Sequence, residues 1–350
     1  MNTGAMCTHD DIPPTANAKP PVASEQQKKP LAVCKQQNFT VVDTEEPHKL
    51  RRKAILQKHP EIKQLFGPDI RLLPCILAIV TAQLSLALVT VQWPFWQWLL
   101  AAYALGGTLT HWLSLGNHEL SHNLCFKSTF ANELLGMVAN LAQGIPSSQT
   151  FKKYHLEHHY CQGDDAIDMD LPTEWEGRFF TNAALKVLWV ILQPAFYALR
   201  PVCMNPKPYT AKEALNFIAV ISFDVALCYF VGYKALLFNL ISTLLGMGLH
   251  PVAGHFIAEH YTLAGVETNQ ETFSYYGPLN YVTFFVGYHN EHHDFPRVSG
   301  FKLAQVKALA PEFYDNLHSY DSWCGVIYDY IMRPDIGPFS RVTRPTKKNE

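Results

Sequence analysis

Residues 72–116, LLPCILAIVTAQLSLALVTVQWPFWQWLLAAYALGGTLTHWLSLG, decide the fold, because none of these 45 residues is Asp, Glu, Lys or Arg. One straight helix of this length would measure about 68 Å, more than twice the ~30 Å thickness of a bilayer core. The segment must therefore fold back on itself. Gln92–Pro94, flanked by aromatic residues that favour a membrane interface, marks the reversal.

A second segment of the same length, 214–258, has only Asp224 and Lys234 as charged residues. A charge deep in a membrane is costly, so we expect Asp224 to face other helices. The glycine and tyrosine before Lys234 mark a second reversal. The sequence therefore predicts an all-α integral membrane protein whose transmembrane part is a four-helix bundle made of two hairpins. The four predicted spans lie near 72–91, 95–115, 214–231 and 235–255.

The segment between the hairpins, 185–199, is short for a span and contains Pro194, which favours an interfacial or re-entrant position. Two hairpins return the chain to the side on which it began. Lys49 and Arg51–Lys53 precede the first span, whereas the opposite turns hold only Lys234. The positive-inside rule then places both termini and a helical cap in the cytosol.

Composition separates the domain from its ends and excludes several classes of protein. Residues 1–38 are polar and proline-rich, as in a disordered tail, and we expect a membrane domain at 39–341 and a second tail at 342–350. Segment 45–67 predicts a basic amphipathic helix at the membrane surface. Charged residues are only 17% of the chain and the net charge is −2, which argues against an ordinary soluble enzyme and against nucleic-acid binding.

Three histidine boxes stand on the predicted cytosolic side. They are His118-Glu119-Leu120-Ser121-His122, His155-Leu156-Glu157-His158-His159 and His289-Asn290-Glu291-His292-His293. With 16 histidines in 350 residues, one H-x-x-H-H motif is expected by chance only about 0.03 times. On a helix, imidazoles at i and i+4 converge on one metal, whereas the imidazole at i+3 diverges from them. Eight imidazoles exceed the four ligands of one tetrahedral zinc, so they suit two metals, and the spacing leaves iron, copper, nickel and zinc open.

A fourth histidine cluster ends the last predicted span. We expect His260 to complete a coordination shell, and His255 is a candidate either for a metal ligand or for a support behind the ligands. Polar residues between the box histidines are candidates for metal ligands, for orienting ring N–H groups or for plain solvent contact. These residues are Glu119, Glu157, Asn290 and Glu291. Acidic residues after the second box predict a loop over the site. They are Asp164, Asp165, Asp168 and Asp170.

The first box also permits another interpretation, because His118-Glu119-x-x-His122 matches the H-E-x-x-H pattern of zinc proteases. An intramembrane protease would use these three residues and leave both H-x-x-H-H boxes without a role. A binding or transport protein would not need paired metal motifs beside lipid-facing helices. An enzyme with two metals accounts for more of the sequence than either alternative.

One H-x-x-x-H box and two H-x-x-H-H boxes, with a pair of spans before the first and another before the last, resemble the membrane fatty-acid desaturase and hydroxylase superfamily. Segments outside the boxes narrow the resemblance to the sphingolipid Δ4-desaturases, or dihydroceramide desaturases. These segments read EEPHKLRRK, HPEIKQLFGPD, ILQPAFYALRP, NPKP, GLHPVAGHFIAEHY, SYYGPLN and VGYHNEHHDFP. The resemblance covers about 39–341.

This resemblance implies a non-haem di-iron centre that uses O₂ to place a trans double bond at C4–C5 of the sphinganine base of dihydroceramide, giving ceramide. It carries over nine iron ligands, with His255 as a further candidate. The nine are His118, His122, His155, His158, His159, His260, His289, His292 and His293. The chain has no H-P-G-G haem-binding motif, so the family's electrons would come from separate cytochrome b5 and its NADH-dependent reductase. The alternative within the family is C4 hydroxylation, alone or beside desaturation.

The ends of the chain add an expected location. Asn2 stands where some family members carry a myristoylated glycine. Lys347-Lys348-Asn349-Glu350 resembles the dilysine retrieval signal of endoplasmic-reticulum membrane proteins, which implies a multi-pass protein of that membrane with cytosolic termini. The basic residues Arg51–Lys53 are a candidate surface for an acidic electron donor or for the membrane.

Overall fold

The structure, a computed structural model, describes residues 38–263 and 270–346, and these are predominantly helical. The helices are α1 (Pro47–Lys58), α2 (Leu72–Val89), α3 (Phe95–Ala101), α4 (Gly107–Ser121), α5 (Thr129–Gln143), α6 (Ser148–Tyr160), α7 (Glu174–Phe179), α8 (Ala183–Ile191), α9 (Gln193–Met204), α10 (Ala211–Phe230), α11 (Tyr233–Gly246), α12 (His255–Ala258), α13 (His289–Asp294), α14 (Gly300–Leu309), α15 (Pro311–Tyr314) and α16 (Trp323–Met332). Short 3-10 helices lie at Pro60–Leu65, Pro251–Gly254 and Pro278–Val282. Two parallel strand pairs join β1 (Thr40–Val41) to β4 (Val342–Thr343) and β2 (Ser274–Tyr275) to β3 (Ser319–Tyr320).

Three of the four predicted spans correspond to helices long and apolar enough to cross a membrane, which are Leu72–Val89, Ala211–Phe230 and Tyr233–Ala258. The pair α8 and α9 is bent by 71° and gives a fourth candidate span if it is counted as one. This bend falls in the segment predicted to be interfacial or re-entrant. Asp224 on α10 is 7% exposed, as expected for a carboxyl group that faces away from lipid.

The predicted span near 95–115 is a helical rod with an irregular turn. Residues Ala102–Gly106 form a π-helical turn between α3 and α4, and the backbone stays helical on both sides of it. The rod is therefore divided into pieces shorter than the other three spans. A π turn inserts a residue into the helix and is frequent at functional sites; here it lies on the approach to the first histidine box.

The two predicted reversals lie at the same end of the bundle. Helix α2 ends at Val89 and α3 begins at Phe95. Gly232 separates α10 from α11 with a φ of +113°, a conformation that glycine adopts without steric cost. The ammonium group of Lys234 donates to the carbonyl oxygen of Val91 at 3.2 Å, which ties one reversal to the other.

Close packing of small residues joins the rod to α11. A Cβ atom added at Gly246 would lie 2.3 Å from the carbonyl oxygen of Gly107. Backbones approach this closely only where side chains are absent, which is a common way for membrane helices to associate. The contact joins α11 to the start of α4, the helix that leads to the first box.

The helical cap covers the end of the bundle that lies opposite the two reversals. Segment 45–67 forms α1 and a 3-10 helix, as predicted, but Ile55 and Ile62 are fully buried in a cluster with Phe295 and Val306. These apolar residues therefore pack against the cap, and the position of the segment at the membrane surface stays a prediction. The predicted tail at 342–350 begins within β4, and the predicted tail at 1–38 lies almost wholly outside the described residues.

Candidate metal centre

Five imidazoles from α4 and the residue after it, α6 and α13 form the first group of metal-ligand candidates. They are His118, His122, His155, His159 and His292, and their ligating nitrogens all lie within 4.8 Å of one another. The His122 and His155 Nε2 atoms are 2.8 Å apart, and the His159 and His292 Nε2 atoms are 3.1 Å apart. We call this set the five-histidine group.

Four imidazoles form a second group. The nitrogens of His158, His260 and His293 also lie within 4.8 Å of one another. His289 joins them, since its Nε2 atom is 3.0 Å from Nε2 of His260. We call this set the four-histidine group. The rings of His159 and His293 stack at 4.2 Å, so the two groups are adjacent.

The spacing inside each box explains the division. In the second box, His155 and His159 at i and i+4 face the five-histidine group, and His158 at i+3 turns to the other. In the third box, His289 and His293 face the four-histidine group, whereas His292 turns to the five-histidine group. Each of these short helices thus contributes to both groups.

The donor set fits metal ions. Burial, with repulsion between neighbouring imidazoles as a smaller cause, lowers the pKa of most of these histidines well below the ordinary value. Such histidines are His122, His155, His159, His260, His289, His292 and His293. Neutral imidazole is the form that binds metal. Within the described part of the chain, the buried Nε2 atoms of His118 and His293 have no hydrogen-bond partner, and one cation in each group would satisfy its converging nitrogens.

Carboxylates stand behind the four-histidine group. Nδ1–H of His158 donates to Asp168 at 2.9 Å, which leaves Nε2 free for a metal. Burial disfavours the charged ring, but Asp168 more than offsets it and raises the pKa of His158. Glu259 lies 3.4 Å from Nδ1 of His289 and 2.8 Å from Nδ1 of His255. Sequence reasoning placed Asp168 in a covering loop and did not single out Glu259.

The other candidates from the sequence have different contacts. His255 lies in neither group; its ring packs on His111 at 4.9 Å. The carboxylate of Glu119 is 3.7 Å from Nδ1 of His118 and accepts from the backbone of Gly300 at 2.9 Å. Glu157 turns away from the histidines and pairs with Lys207.

The two polar residues inside the third box also bond outside the groups. The side-chain oxygen of Asn290 accepts from Arg51 at 2.9 Å. Glu291 accepts from the hydroxyls of Ser274 and Tyr276, each at 2.8 Å. Both residues hold α13 in place, and neither has its side chain hydrogen-bonded to a histidine among the described residues.

A buried network that the sequence analysis missed fixes the far side of the third box. Asp294 binds Nδ1 of His48 at 2.7 Å, Nε of Arg51 at 2.7 Å and the hydroxyl of Tyr314 at 2.9 Å. The side chain of Arg51 is only 14% exposed. The prediction that Arg51 belongs to an exposed basic surface is therefore wrong, since its charge is used inside the cap.

The three residues of the H-E-x-x-H pattern do not form a separate zinc-protease site in the described structure. His118 and His122 share their group with three further imidazoles. Glu119, which would activate water in such an enzyme, accepts instead from Ser299 and Gly300 and is 2% exposed. The arrangement supports two adjacent metals better than one zinc ion with a free carboxylate.

Comparison with known proteins agrees with this chemistry. The family described as fatty acid desaturase matches residues 51–323, which include every histidine of both groups. The sphingolipid delta(4)-desaturase of Drosophila melanogaster is 52% identical over 310 residues, or 88% of this chain and 95% of that protein. The protein of the same name from Homo sapiens is 48% identical over 314 residues, or 89% of this chain and 96% of that protein. A sphingolipid delta(4)-desaturase-like protein from Oryza sativa subsp. japonica is 50% identical over 307 residues, or 88% and 93%.

Proposed function

The chain belongs to the fatty acid desaturase family, and from this premise we propose that it is a sphingolipid Δ4-desaturase. It introduces a trans double bond at C4–C5 of the sphinganine base of dihydroceramide and releases ceramide. The substrate class rests on relatives about half identical over nearly their whole length. The observation that carries the chemistry is the division of nine buried or half-buried imidazoles into two adjacent groups.

Two iron ions are the metals that we propose for these groups. The C4 and C5 methylenes have no acidic hydrogen, and bound iron with O₂ supplies an oxidising power that no side chain has. The protein's own residues fix the proton of His158 on Nδ1 through Asp168, and burial keeps bulk water from the four-histidine group.

The electron balance requires a second donor. Removing two hydrogens from the lipid yields two electrons, whereas reduction of O₂ to two waters consumes four electrons and four protons. The lipid provides two of each, so two electrons and two protons come from elsewhere. We propose cytochrome b5 and its NADH-dependent reductase as the electron source.

We further propose that the protein spans the endoplasmic-reticulum membrane four times, with both termini in the cytosol. The helical rod Phe95–Ser121 then serves as the second span, and α8–α9 lies at the interface. Support comes from the link between the two reversals through Lys234 and Val91. A glycosylation acceptor inserted beside Gly232 is expected to be modified in the lumen, and one inserted after Asn205 is expected to stay unmodified.

The activity is tested by lipid analysis of cells that lack their own Δ4-desaturase and express this chain. We expect ceramide with a C4–C5 double bond from the wild type and none from the His158→Ala, His159→Ala variant. The matched control is His59→Ala, because His59 pairs with Glu312 away from both groups. A 4-hydroxylated ceramide in place of the alkene would keep the metal centre and move the activity to hydroxylation. Neither product, with the protein and cytochrome b5 present, would reject the proposal.

A further inference from the structure

Residues 340–346, which we name the C-terminal strap, lie across the loop 161–170 that follows the second histidine box. The backbone N–H of Arg344 donates to the carbonyl oxygen of Gly163 at 2.6 Å, and the N–H of Asp165 donates to the carbonyl oxygen of Arg344 at 3.1 Å. The opposite edge of the strap pairs with β1. The strap is therefore held on both sides and forms part of the folded domain.

Arg341 connects the strap to His158 through two carboxylates. Its guanidinium group, 4% exposed, donates to Oδ2 of Asp170 at 2.7 Å and to the carbonyl oxygen of Asp170 at 3.2 Å. The backbone N–H of Asp170 donates to Asp168 at 3.0 Å, and Asp168 accepts from Nδ1 of His158 at 2.9 Å. A shift of Arg341 would thus move the residue that aims His158.

Arg344 makes a second connection, to His260. It forms a two-armed ion pair with Glu271, in which Nη1 donates to Oε2 at 2.7 Å. The carbonyl oxygen of the same residue, Glu271, accepts from Nδ1 of His260 at 3.3 Å. Two-armed arginine–carboxylate pairs fix geometry as well as charge.

Gly163 permits the close contact between strap and loop. Its φ is +77°, and a Cβ atom there would lie 2.8 Å from Nη1 of Arg344 and 3.1 Å from the carbonyl oxygen of Val342. An alanine at this position would strain the backbone and push the strap away. The loop and the strap are therefore matched in shape as well as in hydrogen bonding.

Both connections end in the four-histidine group. We propose that the C-terminal strap is the positioning element of this group, with Arg341 acting on His158 and Arg344 acting on His260. The proposal rests on the two-metal part of the proposed function. It assigns no catalytic step to either arginine, because neither reaches a ligating nitrogen directly.

Iron binding measures this effect without turnover. The purified full-length chain in detergent is titrated anaerobically with Fe(II) against a competing chelator. We expect two irons per chain in the wild type, and an affinity for one of them that falls at least about tenfold in Arg341→Gln, Arg344→Gln and Gly163→Ala. The other iron is expected to bind as in the wild type.

Two variants that each keep only one histidine group intact show which iron Arg341→Gln weakens. His118→Ala with His122→Ala leaves the four-histidine group as the intact site, and there Arg341→Gln is expected to weaken the remaining iron at least about tenfold. His293→Ala leaves the five-histidine group, and there Arg341→Gln is expected to change nothing. Equal weakening in both backgrounds, or in neither, would overturn the proposal.

Loss of folding is separated from loss of positioning by Lys186→Met. Lys186 is a buried cation, 1% exposed, that donates to the carbonyl oxygens of Arg333 and Ile336 and touches neither histidine group. We expect this variant to lower the melting temperature and keep both irons. If Lys186→Met loses iron as Arg341→Gln does, the strap contributes only to the stability of the fold, and the proposal fails. A folded wild type with fewer than two irons would instead reject the two-metal function, and the inference with it.

Discussion

The two histidine groups differ in what is arranged to hold a metal ion in each. The five-histidine group has more ligands, but three of its members are only half-buried, and its nearest carboxylate, Glu119, stands 3.7 Å from a ring nitrogen. The four-histidine group has fewer ligands, and the grouped ligands His158, His260 and His293 are fully buried, two of them with Nδ1 hydrogen-bonded to Asp168 or Glu271. One group relies on the number of its imidazoles, and the other relies on the residues behind them.

Removal of single ligands gives the largest effect and tests this difference directly. His293→Ala leaves three ligands in the four-histidine group, whereas His122→Ala leaves four in the other. We expect both variants to lose at least about a hundredfold in desaturation. Iron per chain should fall to one in His293→Ala and stay near two in His122→Ala, as measured by metal analysis. Equal iron loss in the two variants would contradict the asymmetry.

Removal of the supporting carboxylates comes next. Asp168→Asn deletes the charge that fixes the proton of His158 on Nδ1. We expect about a 10- to 100-fold loss of iron affinity at the four-histidine group. Glu119→Gln is the matched change at the five-histidine group, and at 3.7 Å from the ring it should cost less. Chelator-competition titration measures the iron affinity of both variants. A larger loss in Glu119→Gln would contradict the conclusion that the four-histidine group depends more on its supporting carboxylate.

A change in the membrane bundle should affect neither group. Gly246→Ala places a methyl group against the carbonyl oxygen of Gly107. Overpacking of this kind costs about 1–3 kcal/mol, so we expect a lower melting temperature in detergent. Iron per chain should stay at two. Loss of one iron would show that the packing of α4 against α11 sets the ligand geometry.

The smallest effect is expected inside a histidine box. Glu157→Gln removes a carboxylate that pairs with Lys207 and faces away from the imidazoles. A surface change of this kind alters stability by about 0.5 kcal/mol or less. Iron affinity and ceramide formation should match the wild type. A clear loss of either would show that Glu157 contributes to the metal centre.

Helical periodicity made much of this site predictable. The offsets i, i+3 and i+4 predict that one box serves two metals, and the second and third boxes are divided in that way in the structure. The two long segments with few or no charged residues predicted three long apolar helices and both reversals. For residues on one helix, the local sequence was therefore enough to predict which group each histidine faces.

Tertiary contacts determined what the sequence could not show. Asp168 reaches His158 from a loop whose Asp170 accepts from Arg341, 171 residues further along the chain. His48 and Arg51 looked like parts of a surface helix because their partner, Asp294, is more than 240 residues away.

These long separations have a consequence for the order of folding. Contacts between residues 171 and 246 positions apart close very large loops, and the entropy of closure must be met before they contribute stability. The helical hairpins, whose contacts are local, can form first. The supports of the metal centre then assemble last, so bound iron should mark a chain whose cap has completed its long-range contacts, and an iron-poor cell should accumulate chains that are inserted in the membrane with an unfinished cap.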